Sequence, residues 1–245
     1  EEAFMQKFGS CVPCAFNGHI SDILGLKFTC KRTDDDVSIY INQPGFVDNF
    51  LQSSNLDGDN VSIVTTPYRS GLPVDKIKPE SHPPNIQKKL TLKMQKMVGA
   101  LNWLAISTRP NLATIVNILA KYMACPSRGH IEAAKRVARY VKGTKNHGIA
   151  FHSNLSETNI KAYIKFPTEA PVTAVCDANW GPQDASVPTS TTKPSLPLFK
   201  SRSISGFLIW HNGPLHWVSK RQTITARSSA ESKIYATDEC CSRCN

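Results

Sequence analysis

Between residues 91 and 142 apolar side chains recur at helical spacing, and this constrains the fold more than any other feature of the sequence. Leu101, Leu104 and Ala105 share one stripe, which Thr108-Arg109-Pro110 interrupts. Leu112, Ile115, Val116, Leu119 and Met123 then follow at i, i+3, i+4, i+7 and i+11, so one face of a second helix is apolar and has to be covered. Pro110 suits the first turn of that helix, where its missing N–H costs nothing. Cys125-Pro126-Ser127 ends it. A third helix is predicted from Arg128 to Lys142, with Ile131, Ala134, Ala138 and Val141 as its core stripe and Gly143 as a left-handed stop.

The texture on either side is β. Residues 24–41 place Leu-Gly-Leu-Lys-Phe-Thr-Cys and Val-Ser-Ile-Tyr-Ile around a charged turn, which predicts a hairpin. Asn42-Gln-Pro-Gly45 breaks the chain, and Phe46 to Leu51 has the spacing of a short helix. Pro67, Pro73, Pro79, Pro83 and Pro84 make a linker of residues 65–90. Val172 to Asp177 is a candidate strand ending in a carboxylate. Ser205 to Trp210 and Pro214 to Ser219 flank Asn212-Gly213 as a second hairpin, with residues 181–200 an exposed Pro/Ser/Thr loop before it. Ser228-Ser-Ala-Glu231 reads as a capping box that opens a last helix.

At 245 residues, 40% of them hydrophobic and 20% charged, the chain can fill one large or two modest cores. No apolar run reaches the roughly 18–20 residues of a membrane span, and Glu-Glu-Ala-Phe is no signal peptide. The expectation is an intracellular chain, neither secreted nor membrane-bound. Its first residue is Glu, as expected of a piece of something longer. Lys and Arg number 29 against 19 Asp and Glu, a net charge of +10 that favours a polyanionic partner, nucleic acid first. Lys135, Arg139 and Lys142 stack on a single solvent face of the third helix with Arg136 beside them, a candidate phosphate contact whose plainer alternative is a solvated charged face. Cys11, Cys14, Cys241 and Cys244 form two C-x-x-C pairs at opposite ends of the chain. Zinc ribbons hold such pairs about 15–20 residues apart, so reduced thiols are expected.

Eight motifs in order then resemble copia-type (Pseudoviridae-like) retrotransposon polyproteins: Met97-Val-Gly-Ala-Leu-Asn-Trp-Leu104, Thr108-Arg-Pro-Asn-Leu-Ala113, His130-Ile-Glu-Ala-Ala-Lys135, Arg139-Tyr-Val-Lys-Gly143, Cys176-Asp-Ala-Asn-Trp180, Ser203-Ile-Ser-Gly-Phe207, Trp217-Val-Ser-Lys-Arg-Gln222 and Ser228-Ser-Ala-Glu231. Leu24-Gly-Leu-Lys-Phe28 and Asn42-Gln-Pro-Gly-Phe-Val47 extend the likeness backwards. The resemblance implies an α+β architecture: the end of a reverse transcriptase with its β-hairpin region (1–66), the Pro-rich linker (67–90), a helical connection (91–150) and a truncated ribonuclease H-like domain, a mixed sheet with one helix (151–245).

In that family ribonuclease H chemistry is two-metal hydrolysis of the RNA strand of an RNA–DNA hybrid, with carboxylates holding Mg²⁺. The resemblance places Asp177 at the first carboxylate, the candidate catalytic and metal residue. The family pattern Ser-Ser-x-Glu-x-Glu here reads Ser228-Ser-Ala-Glu-Ser-Lys233, so Lys233 stands where the second carboxylate is expected, and an ammonium repels Mg²⁺. Glu231 is the other acidic candidate, although it lies about 200° around the helix from that position. The family's later acidic residues and its paired polymerase Asp motif find no match, and Asp34-Asp35-Asp36 sits in a polar turn. The expectation is therefore a catalytically silent fragment, not holding Mg²⁺, that binds RNA–DNA hybrid or other nucleic acid without sequence preference through Lys135, Arg136, Arg139 and Lys142. An active ribonuclease H and an inert remnant are the alternatives.

Overall fold

The computed structural model describes residues 21–34, 36–68, 82–153, 172–180 and 202–244. The first half of the chain forms a four-stranded antiparallel sheet and a helical core. The sheet order is β1 (Asp22–Ile23), β2 (Leu26–Arg32), β3 (Val37–Asn42) and β4 (Gly148–His152). The expected hairpin is β2 and β3, from Lys27↔Asn42 to Arg32↔Val37. β4 returns after all the helices to pair with β3, from Ser38↔His152 to Asn42↔Gly148.

The helices are α1 (Pro44–Ser53), α2 (Pro84–Ser107), α3 (Ala113–Ala120) and α4 (Arg128–Gly143), with a 3₁₀ turn at Pro110–Leu112 leading into α3. The apolar stripes meet as expected: Met94, Leu101, Leu104, Leu112, Leu119, Ala134, Val137, Ala138 and Val141 are all at most 1% exposed. Met123 also packs against this core, partly buried, but lies beyond the helix. α3 stops at Ala120, and the chain runs on in i→i+3 turns through Lys121, Tyr122 and Met123.

Three sequence expectations need correction. The linker does not extend to residue 90, because α2 starts at Pro84; a proline there fixes φ and lacks an N–H the first turn cannot use. Residues 69–81 of that stretch lie outside the described residues. The boundary at 150/151 cuts through β4, whose backbone groups are satisfied by β3 and so belong to the first sheet. Gly143 does not end α4 in a left-handed turn, since among the described glycines only Gly25 has a positive φ. A Cβ on Gly143 would sit 3.2 Å from Ile63 Cβ, so glycine is there for close packing.

The second sheet is β5 (Thr173–Asn179), β6 (Ile204–Trp210) and β7 (Pro214–Arg221), with α5 (Ser229–Cys241) packed over it. Phe207, Ile209 and Cys240 are its buried core, with Cys176 and Val218 against them. The expected mixed pairing is not observed: every strand pair among the described residues is antiparallel. A parallel neighbour needs a long crossover into a further strand, and α5 is followed by no described strand. The loop predicted at 181–200 lies outside the described residues.

The tip of the second hairpin docks on the first sheet. Asn212 turns the chain in the left-handed region at φ 56°, and its carbonyl accepts from His152 N at 2.9 Å. A Cβ on Gly213 would lie 2.4 Å from Phe151 Cδ1 and 2.6 Å from Ala150 O, which excludes any larger residue without movement. Trp217 Nε1 donates to Ala105 O at the end of α2, at 2.6 Å.

Arg109 holds the helical core to the turn that follows α4. It is 2% exposed, and its guanidinium donates to Thr144 O (3.0 Å), Thr144 Oγ1 (2.7 Å) and Asn111 Oδ1 (3.3 Å) while stacking 5.6 Å from the Tyr140 ring centroid. The end of a helix presents carbonyls without intrahelical partners, and a cation there satisfies both their hydrogen-bonding capacity and their dipole. Arg109→Leu removes every one of these donors and is expected to cost about 2–4 kcal/mol. Arg109→Lys keeps the charge but not the fork, so its loss should be intermediate. Urea unfolding measures both, and a leucine variant of unchanged midpoint contradicts the assignment.

Candidate functional site

Asp177 sits in the second half of β5, opposite Gly206 of β6, with its side chain 75% exposed. Lys233 lies near the start of α5, which packs over this sheet, and its Nζ is 3.2 Å from Asp177 Oδ1. The backbone hydrogen bond from Ala178 is the larger influence and the Lys233 ammonium the second; together they hold the Asp177 carboxyl below its ordinary pKa. The residue at the expected second carboxylate is thus brought onto the first one, with the opposite charge.

Glu231 faces elsewhere. Its Oε2 accepts from Arg227 N at 2.5 Å and its Oε1 from Tyr235 Oη at 3.2 Å, while Ser228 Oγ accepts from Glu231 N at 3.1 Å. This is the predicted capping box, with the carboxylate reaching back one residue beyond the N-cap. The Glu231 contact also raises the pKa of the Tyr235 hydroxyl. Both oxygens of Glu231, the other acidic candidate, are thus engaged within its own helix and at the helix start. Mg²⁺ does not fit what remains. It demands an octahedron of oxygens, and this position offers one carboxylate already touched by an ammonium. Among the described residues no group of three or more His, Cys, Asp or Glu is placed to hold a metal ion.

The basic face of α4 is half-buried and largely engaged within the chain. Lys142 Nζ donates to Gly58 O (2.7 Å) and Val61 O (3.3 Å), Arg136 Nη2 donates to Thr66 Oγ1 (3.2 Å), and Lys135 pairs with Glu132 at 2.6 Å. Arg139 keeps its Nε buried with no hydrogen-bond partner. The expected solvent face is thus a surface on which residues 58–66 lie. Nothing in the helix itself signals this, since those partners are 70–84 residues away.

The motifs around the Asp177–Lys233 ion pair form a buried polar hub that sequence reasoning missed. Gln222, 4% exposed, donates through Nε2 to Ser205 Oγ (2.9 Å) and Ser232 O (2.8 Å), and its N donates to Ser203 O (2.8 Å). These bonds tie β6, the end of β7 and α5 together, and so fix Lys233 relative to Asp177. Of the C-x-x-C pairs, Cys11 and Cys14 lie outside the described residues, while Cys241 and Cys244 are exposed free thiols. Neighbouring Cys240 is buried, and desolvation pushes its thiol up to about 11.

Comparison with known proteins decides the family. Over 139 residues the chain is 32% identical to the retrovirus-related Pol polyprotein from transposon RE1 of Arabidopsis thaliana, covering 56% of this chain and 8% of that protein. Over 226 residues, 91% of the chain, it is 24% identical to the Pol polyprotein from transposon TNT 1-94 of Nicotiana tabacum, covering 14% of it. The chain belongs to the copia-type retrotransposon Pol polyproteins. It is also 34% identical over 143 residues to the uncharacterized mitochondrial protein AtMg00810 of Arabidopsis thaliana, covering 58% of the chain and 48% of that protein. It thus spans from 8% to 48% of the length of these relatives. No protein-family model matches it, and no solved structure is significantly similar. No helix among its described residues is long and apolar enough to cross a membrane.

In the Pol chain Asp177 is expected to titrate below the usual carboxylate range. Lys233→Gln should raise its pKa only part of the way, because the larger influence, the Ala178 backbone bond, stays. Carboxyl-detected NMR titration of both forms checks this; a pKa untouched by the substitution would show that the ion pair does not form in solution.

Proposed function

We propose that this Pol chain carries the end of a reverse transcriptase, a helical connection from Pro84 to His152 and the start of a ribonuclease H-like domain, and that it does not hydrolyse RNA–DNA hybrids. The ordered motifs support the domain reading, as does the way the second sheet docks on the first half of the chain, through Trp217 on α2 and Gly213 on β4. One observation carries the silence of the site: the Lys233 ammonium rests on Asp177. Two-metal hydrolysis places divalent ions between carboxylates to activate a water and stabilise the leaving oxygen. A positive charge at that place opposes the ions, and a single carboxylate is left where the chemistry needs several.

Purified chain incubated with a labelled RNA–DNA hybrid in Mg²⁺ or Mn²⁺ should give no cleavage above background. Cleavage that Asp177→Asn abolishes contradicts the proposal.

Any contact with nucleic acid then rests on charge, without sequence preference. On α4 the side chains free to meet a phosphate are Arg139 and Lys135; the Lys135–Glu132 pair is an exposed i,i+3 pair, weak enough to exchange. Lys142 cannot be used without breaking its bonds to Gly58 and Val61. Changing Lys135 and Arg139 to Gln should flatten the dependence of log K on log[salt] by about 2, at roughly 0.9 per phosphate contact. Lys142→Gln should lower thermal stability and leave the slope alone. A double variant of unchanged slope makes α4 a solvated face.

A further inference from the structure

An unassigned concavity lies between α1 and α2, an open groove of about 720 Å³. Its floor is apolar: Phe46 of α1 with Leu92 and Ala100 of α2, and Leu92 is 49% exposed. One rim is cationic. Lys89, Lys93 and Lys96 fall at i, i+4 and i+7, which sets them on one face of α2 at about 6 and 10 Å along the axis. All three are exposed, and none has a hydrogen-bond or ion-pair partner among the described residues. The opposite rim, Asn49, Ser53 and Asn55, is polar and neutral, and no carboxylate lines the groove. This differs from the basic face of α4, where Lys135, Arg136 and Lys142 already have partners inside the chain.

We propose that this groove docks an acidic amphipathic helix of a partner protein. A third helix laid between two others covers the apolar floor with an i, i+3, i+4, i+7 stripe, the recurring helix-in-groove mode. Asp or Glu one position off that stripe then faces the lysine rim. Charge complementarity selects the acidic partner: three uncompensated cations and no anion make an acidic helix fit and a basic one repel. A phosphodiester backbone answers the lysines equally well, but it leaves Leu92 and Phe46 uncovered, so the apolar floor favours the peptide. This proposal stands apart from the silent ribonuclease H-like site, because the groove shares no residue with Asp177 or Lys233.

The test uses the full chain and a fluorescein-labelled 18-residue helical peptide with Leu at i, i+3, i+4, i+7 and Glu along one flank, read by anisotropy at about 50 mM salt. Saturable binding is expected. Lys89, Lys93 and Lys96 changed together to Gln should weaken it about tenfold, the sum of three exposed ion pairs. Leu92→Asp, at an exposed position that leaves the core intact, should weaken it at least as much. A peptide carrying Gln for Glu should bind like the wild-type peptide on the lysine variant. Absence of saturable binding overturns the proposal, as does binding indifferent to Leu92→Asp. A duplex oligonucleotide that binds tighter than the peptide, requires the three lysines and ignores Leu92→Asp also overturns it and assigns the groove to phosphate.

Discussion

Arg109 buries its charge against the end of α4, and the geometry of the helical half depends on it. Its fork closes on both oxygens of Thr144, Thr144 Oγ1 returns to Tyr140 O at 2.8 Å, and Asn111 Nδ2 reaches Tyr140 Oη at 2.7 Å. The turn after α4 is gripped from the sheet as well. Asn146 O accepts from Tyr40 Oη (2.5 Å) and Asn42 Nδ2 (3.2 Å), and Lys145 pairs with Asp48 of α1 at 2.5 Å. With that turn fixed, β4 has one direction in which to leave, and it pairs with β3. Buried Gln43, whose Oε1 accepts from Thr108 Oγ1 at 2.7 Å, ties the same region to the start of α1.

The motifs that identify the family are therefore mostly structural. Thr108-Arg109 and Asn42-Gln43 meet at the junction with the turn after α4. Ser203 to Ser205, Gln222 and Ser232 meet at another, beside the Asp177–Lys233 ion pair. His130 caps its own helix, its Nδ1 accepting from Ser127 N at 3.0 Å, and stacks on Tyr122 with ring centroids 4.1 Å apart. Buried polar groups left unpaired cost more than paired ones return, so each member of such a junction constrains the others. Asp177 and Lys233 are exposed and bear no such constraint. There Lys233 stands beside Asp177 with its side chain 61% exposed, and the surrounding architecture accommodates it.

What was legible in the sequence followed from local rules. The stripe on α4 and the capping box at Ser228 need only the helical repeat, and the Asn212-Gly213 hairpin needs only its turn chemistry. What was not legible depends on partners far along the chain. Gly143 looked like a helix stop because glycine usually serves there, whereas Ile63 lies against it. Lys142 looked like a phosphate contact because its carbonyl partners lie more than 80 residues earlier. β4 was cut in two because a strand of five residues announces neither its partner nor its sheet. The register of Ser228 to Lys233 sets Lys233 where the family resemblance expects a second carboxylate, but only the packing of α5 on β5 brings its ammonium to Asp177.

If Lys233 disarms the site, restoring a carboxylate there should restore affinity for a divalent ion. Mn²⁺ titration followed by electron paramagnetic resonance, on the wild-type chain and on Lys233→Glu, tests this most directly. The wild type should show only weak, non-saturating binding, and Lys233→Glu should gain a saturable site that is lost again when Asp177→Asn is added. Stoichiometric Mn²⁺ binding by the wild-type chain, removed by Asp177→Asn, would contradict it.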